Sequence, residues 1–423
     1  MTTQAVFRIV AGANSYDWGK IGGNSKAGQY ARADPEFKLQ EDKPYSELWM
    51  GTHSTLPSKL QSGEKLYDHL QAHPELLGDK VRKQYGGDLP FLFKVLAIEK
   101  ALSIQAHPNK KLAEKLHKER PDVYKGTFNH PEMAIAITPF SGFCNFRPLS
   151  EISTFLSSVP EFASLIPAQA ASELSSSPSD PKAALREVFG ALMSAPSDQI
   201  QSALDQLIKR YESGGATPAE ADVVDLAQTL AKQYPGDVGV FCVFLLNVVK
   251  LNPGEAMFLQ ADEPHAYHRV YGYFRQVLVR VSQVLNHELQ LDNVVRAGLT
   301  PKLRDVPTLV SMLTYNSGPA DAQRMEPKPF KGESSDSDTY TTLYDPPIPE
   351  FSVLLTDVPA GKKASHRSLD GPSIFIVTSG GGSVSGQEIK SEGEVWFAGA
   401  GQSLEFTAGS EGLVLYRAFV EVA

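Results

Sequence analysis

Three polar residues alternate along LSIQAHPNK, residues 102–110: Ser103, Gln105 and His107. Side chains two apart on a strand point the same way. A hydroxyl, an amide and an imidazole therefore share one side, and Leu102, Ile104 and Ala106 take the other. Pro108 has no N–H to give a ladder, so it ends the strand. A polar face of this kind lies in water or finds partners around a wet cavity; taken alone, the solvated face is the commoner outcome. Two other stretches shift that balance. HPEMAIAI sets a lone carboxylate, Glu132, at the head of an apolar strand, and PGEAMFLQADEPHAY ends in His265 after a proline bend. Neutral imidazoles plus a carboxylate are the usual donors of a catalytic zinc, which keeps one position open for water or substrate. The same set also suits iron(II). Glutamine is a rare, weak ligand. Lys94 interrupts the apolar run LPFLFKVLAI; a buried lysine is costly unless paired, so it needs a phosphate or a glutamate.

The elements that must hold these groups read as follows. From residue 1 to about 150, FRIVAG, PFLFKVLAI, ALSIQAH and EMAIAITPF are short strands broken by Gly, Pro and Asn, with NKKLAEKLHKER a short helix. From about 150 to 250 the period becomes helical. DPKAALREVFGALM opens on Asp180 and Pro181 as N-cap and first turn. SDQIQSALDQLIKRY lines Ile200, Leu204, Leu207, Ile208 and Tyr211 along one face. Thr217 with Glu220 has capping-box spacing. After Leu251 strands return. Residues 316–345 are rich in Pro, Ser, Asp and Gly and read as a linker. The last part, from residue 346, has evenly spaced strands with glycine turns, the pattern of a small barrel or jelly roll. No fixed-period repeat stands out.

The 423 residues suggest two or three domains. A net charge of −9 argues against a nucleic-acid partner, although a local Lys/Arg cluster can still bind phosphate. The longest apolar run, Val238 to Val249, is too short to span a bilayer. The N-terminus has no signal-peptide pattern, and two cysteines, Cys144 and Cys242, make no disulfide framework. A cytoplasmic protein without a membrane partner is expected.

The stretches SYDWGK (15–20), PYSELWMGTH (44–53), LPFLFKVL (89–96), QAHPNK (105–110), PEMAIA (131–136), PHAY (264–267) and NVVRAGLTPK (293–302), in this order, resemble the type I phosphomannose isomerases. The resemblance implies a mainly β protein: a cupin (jelly-roll) catalytic domain from 1–150 with 251–315, a helical insert at 151–250, a linker at 316–345 and a second cupin-like domain at 346–423. It implies a monomer with one Zn²⁺ that interconverts D-mannose 6-phosphate and D-fructose 6-phosphate through a cis-enediol, supplying GDP-mannose and glycan synthesis. Carried over by motif, Gln105, His107, Glu132 and His265 hold zinc and Arg296 is the catalytic arginine. Ser103, Lys94 and Lys302 bind the substrate's phosphate, while Trp18 and Glu47 line the pocket.

Two departures stand out. The family's lysine before PEMA is replaced by His130, or deleted. Residues 268–291, HRVYGYFRQVLVRVSQVLNHELQL, lack the family's short GDxxE segment. Glu288 is the only carboxylate there, His268 and His287 are further polar groups, and VLVRVSQVL alternates like a strand. Genuine divergence and an error in the gene model both fit. Three readings follow: an active isomerase, a member that binds zinc and sugar phosphate without turnover, and a different cupin enzyme such as an iron oxygenase, which QAHPNK and RAGLTPK disfavour.

Overall fold

The computed structural model describes residues 4–126, 131–268, 277–283, 293–330 and 337–422, with the backbone alone at 277–283 and 337–338. His130, His287 and Glu288 lie outside the described residues. Two antiparallel sheets stack around the chemistry-bearing residues. One has five strands in the lateral order Leu246–Leu251, Phe140–Phe146, His265–His268, Ile104–Ala106, Val295–Gly298. The other has seven, in the order Arg324–Met325, Ala256–Leu259, Glu132–Ala136, Val277–Gln283, Phe91–Ala97, Glu47–Met50, Gly12–Asn14. Between them lie Leu96, Ala134, Ala136, Phe140, Met257, Leu259 and Tyr267. This is a jelly-roll sandwich, whose inner faces alternate with outward residues along each strand.

The outward face of the seven-stranded sheet is not solvated. Phe91, Phe93, Val95, Met133 and Ile135 pack in one core with Ile374, Ile376, Phe397, Tyr416 and Ala418 of the C-terminal sheet. Burial on both faces explains why PFLFKVLAI is apolar throughout except at Lys94. Val277–Gln283, the alternating stretch of the divergent segment, is a strand. It inserts between Phe91–Ala97 and Glu132–Ala136, with Val277 opposite Ala97 and Ser282 opposite Glu132.

The C-terminal sheet has ten strands. Val6–Val10, grouped by position with the catalytic region, pairs instead with Val395–Ala398 of this sheet, Val6 opposite Ala398 and Ile9 opposite Val395. The physical reason is edge protection: unpaired, Val395–Ala398 would leave its ladder groups open. The stretch read as a linker is stitched to both parts. Arg324–Met325 pairs with Met257 and Ala256, and Lys328–Pro329 pairs with Leu343 and Thr342.

Among the described residues the helical insert runs from Leu149–Ser158 to Val224–Gln233. Asp180 caps Pro181–Ser194 by accepting from Ala183 N–H (3.0 Å). Ser197–Glu212 buries Ile200, Leu204, Leu207 and Tyr211. No described helix is long and apolar enough to cross a membrane.

Candidate metal centre and active site

Gln105 sits mid-strand in Ile104–Ala106, with His265 directly opposite on one neighbouring strand and Arg296 directly opposite on the other. Directly paired residues share a face about 5 Å apart, so one rung carries an imidazole, an amide and a guanidinium. His107 follows two residues on, at the point where Pro108 stops the ladder. The polar alternation read from the sequence is realised in contacts: Ser103 Oγ donates to Gln105 Oε1 (3.4 Å), and Gln105 Nε2 lies 3.4 Å from His107 Nε2. Asn109 then caps the helix Lys110–Glu119 by accepting from Leu112 N–H (3.0 Å). The two histidine-bearing loops are tied together by Asp262. Its N–H donates to His107 O (2.8 Å), and its carboxylate accepts from Asn109 N–H (2.9 Å).

The facing sheet supplies Glu132. Its Oε1 lies 3.2 Å from His107 Nε2 and its Oε2 4.0 Å from His265 Nε2. The imidazoles stack at 5.3 Å between centroids, and all three side chains are buried. Among the described residues His107, Glu132 and His265 form the one group of His, Cys, Asp and Glu side chains close enough to hold a metal ion. Tetrahedral donors about 2.0–2.1 Å from an ion stand roughly 3.3 Å apart; the His107–Glu132 separation of 3.2 Å is close to this, and the His265–Glu132 separation of 4.0 Å is wider.

The ring orientations meet the same requirement. His107 Nδ1 is 3.1 Å from the carbonyl of Asn293, and His265 Nδ1 is 3.2 Å from the carbonyl of Glu263. A carbonyl only accepts, so both Nδ1 atoms carry the proton and both Nε2 atoms present a lone pair toward Glu132. Tyr267 Oη donates to Glu132 Oε2 (3.0 Å) and fixes the carboxylate. Cys144 stands opposite His265 in the ladder. Burial, with the nearby Glu263 carboxylate adding to it, pushes its thiol up to about 12; its Sγ donates to Gln323 Oε1 (3.8 Å) and is not in the group that could hold a metal.

Lys94 and Glu47 lie deeper in the seven-stranded sheet. Strand spacing puts the Lys94 Cα roughly 12 Å from that of Glu132. Lys94 Nζ lies 4.0 Å from the Trp49 ring centroid and 3.8 Å from Glu47 Oε1, while Trp49 Nε1 donates to Glu47 Oε2 (2.8 Å). The glutamate partner expected for a buried lysine is therefore present. Trp18 is half-buried, stacks on Tyr16 and packs against the sandwich interior. Arg296 is half-buried beside Gln105, whereas Lys302 is exposed on the following loop. The structure thus gathers Ser103, Gln105, His107, Glu132, His265 and Arg296, puts Lys94 and Glu47 further along the same sandwich, and leaves Lys302 outside. Trp49, Tyr267 and Asn293 were missed by sequence reasoning. Each sits inside a motif already singled out, but their roles come from register and a main-chain carbonyl, which residue type does not reveal.

Residues 6–149 match the catalytic domain of phosphomannose isomerase type I, residues 159–246 its helical insertion domain and residues 342–386 its C-terminal domain. The chain is 47% identical to a mannose-6-phosphate isomerase of Cryptococcus neoformans, with 99% of each covered. It is 42% identical to that of Saccharomyces cerevisiae, covering 98% of this chain and 99% of the relative. A zinc-bound crystal structure of mannose 6-phosphate isomerase superposes with a TM-score of 0.80 at 27% identity, covering 99% of this chain and 100% of the other. A mutant phosphomannose isomerase from Salmonella typhimurium gives 0.80 at 28%, with the same coverage.

Proposed function

The chain belongs to the type I phosphomannose isomerases, and from that premise we propose that it interconverts D-mannose 6-phosphate and D-fructose 6-phosphate at one zinc ion. The observation that carries the proposal is the buried convergence of His107, Glu132 and His265 with both Nε2 lone pairs turned toward the carboxylate. Gln105 adjoins His107 and would be the fourth donor through its amide oxygen once the amide is flipped, since as placed its Nε2 faces His107 Nε2 and its Oε1 accepts from Ser103. A donor set of two imidazoles, one carboxylate and one amide is neutralised by one divalent cation to a net charge of +1, which suits an anionic substrate.

When bound, zinc supplies Lewis acidity toward the sugar's reacting oxygens. The residues of the chain bind and orient the sugar phosphate. Arg296 donates to the same oxygens as negative charge develops on the cis-enediol, and its guanidinium keeps its proton throughout. Ser103 gives a hydroxyl donor on the same face. Lys94 supplies a cation for the phosphate dianion, held between Trp49 and Glu47 so that little ordering remains when substrate arrives. Lys302, exposed and outside the gathered residues, offers a cation to the approaching phosphate, and Trp18 with Glu47 shapes the wall. The product feeds or drains mannose phosphate for GDP-mannose synthesis. The domain division is proposed as read from the sequence, 1–150 with 251–315, 151–250, 316–345 and 346–423.

The test is metal removal. Chelation should abolish isomerisation of mannose 6-phosphate, and Zn²⁺ should restore it, with about one zinc per chain by elemental analysis. His265→Ala and Glu132→Gln should each lower that ratio at least tenfold at equal free zinc. Full turnover in the metal-free chain contradicts the proposal. Iron(II) retained in place of zinc, with no isomerisation of mannose 6-phosphate under either metal, transfers the chain to the oxygenase-like reading.

A further inference from the structure

In the helical insert, helix Val224–Gln233 runs into YPGD, residues 234–237, and Arg296 is followed by AGLT, residues 297–300. The Asp237 side chain joins these stretches. Asp237 Oδ1 accepts from Leu299 N–H (2.7 Å) as well as from Gly239 N–H (2.7 Å), and Oδ2 accepts from Thr300 N–H (3.0 Å). One carboxylate thus holds three main-chain donors, two of them just past the arginine. Bonds of this charge-assisted kind are about twice as strong as neutral ones.

The segment so held is irregular. Arg296 faces Gln105 and Gly298 faces Ile104, so two residues on one strand span a single step on the other, and Ala297 is the extra residue of a β-bulge. Bulges re-aim the side chains beside them. Leu299 follows at φ +53°, a left-handed conformation that a leucine keeps only when its surroundings enforce it. The approach leaves no room for a side chain. A Cβ on Gly298 would stand 2.6 Å from Gly239 Cα, and one on Gly239 would stand 2.6 Å from Leu299 N.

We propose that Asp237 is a positioning residue for isomerisation: its carboxylate latches the helical insert to the loop after Arg296, sustains the bulge and so sets where the guanidinium lies beside the metal centre. The inference rests on the reading that Arg296 acts on the sugar's oxygens. It makes the insert part of the active-site frame, not an appendage.

The experiment compares Asp237→Ala and Asp237→Asn with wild type in the full, zinc-loaded chain. It reads kcat, KM, zinc per chain and amide exchange at Leu299 and Thr300. A displacement of about 1 Å in a catalytic group can cost 10²-fold in rate. The alanine variant should lose about ten- to a hundredfold in kcat with KM changed far less, zinc per chain unchanged, and protection lost at both amides. The asparagine variant keeps an oxygen for Gly239 and Leu299 but turns a donor toward Thr300, so it should lose only several-fold. A purely structural cap would lower the melting temperature and leave kcat per zinc-loaded chain intact, which overturns the latch. Where the alanine variant fails to fold, the asparagine variant decides: wild-type kcat overturns the proposal. Absence of turnover in wild type overturns the underlying functional reading, whereas an active wild type beside an equally active Asp237→Ala overturns the latch alone.

Discussion

At the scale of single residues, the site separates holding a metal from using it. His107, Glu132 and His265 are buried and oriented by carbonyls and a tyrosine hydroxyl, so they are set before any ligand arrives. Arg296 stands on the same rung as Gln105 and His265 but outside the donor set. Arg296→Ala should therefore lower kcat by about 10²–10³-fold, the usual cost of deleting a donor to developing charge. Zinc per chain should stay within the error of elemental analysis; equal losses of metal and turnover would place the arginine in the metal shell. Tyr267→Phe removes one hydrogen bond from a buried carboxylate, at about 1–2 kcal/mol, and should weaken zinc retention about tenfold in a chelator competition.

At the scale of elements, much of the site was legible because strand periodicity is strict. The alternation in LSIQAHPNK and the lone carboxylate in HPEMAIAI lead directly to inward-facing groups. What sequence could not reveal was pairing partners. That Gln105 faces both His265 and Arg296 is a matter of register between distant segments, and Trp49 over Lys94 follows from pairing between Glu47–Met50 and Phe91–Ala97. The alternation in VLVRVSQ was readable as a strand, but its insertion between the strands of Lys94 and Glu132 was not, since nothing local specifies which edges it joins. In the insert, the spacing of Thr217 and Glu220 foretold a reach-back bond, and Glu220 Oε2 accepts from Thr217 N–H (2.7 Å). Its further pairing with Arg210, itself bound to Glu161, was not foreseeable.

That network gives the insert an acid sensitivity of known sign. Burial pushes the Glu220 carboxyl up, but bonds from Arg210, Thr217 and Tyr211 outweigh it and hold it near 2. A depressed carboxyl contributes stability above its unfolded value of about 4.3, and that stability is lost as pH falls toward 2. Glu220→Gln should flatten the melting profile between about pH 4.3 and 2. At neutral pH it should cost about 1–2 kcal/mol in denaturant unfolding, because Arg210 loses one carboxylate but keeps its two bonds to Glu161. A variant as stable as wild type at pH 7 would show the pairing to be ornamental.

At the scale of the whole molecule, the C-terminal sheet packs behind the strands of Lys94 and Glu132. Its histidine, His366, is consumed: Nε2 is within 3.2 Å of Thr341 Oγ1 and 3.0 Å of Thr356 Oγ1, and Nδ1 accepts from Arg417 (3.1 Å). Burial and the adjacent guanidinium hold this imidazole well below its ordinary value. A histidine so depressed is neutral in the folded state while the unfolded chain takes up a proton below about pH 6.5. Stability is therefore complete above that pH and falls by up to about 1.4 kcal/mol per unit beneath it. His366→Gln should remove this slope, as read by urea unfolding at pH 7 and pH 5. Because the same sheet shares a core with the strands of Lys94 and Glu132, loss of turnover should track the wild-type slope.

The most direct measurement is a coupled assay for fructose 6-phosphate on the full chain, with zinc per chain determined on the same sample. Turnover at about one zinc per chain, abolished in Arg296→Ala, is the predicted result. Full zinc occupancy with no conversion of mannose 6-phosphate contradicts it, leaving a protein that binds metal and sugar phosphate and has lost its chemistry across residues 268–291.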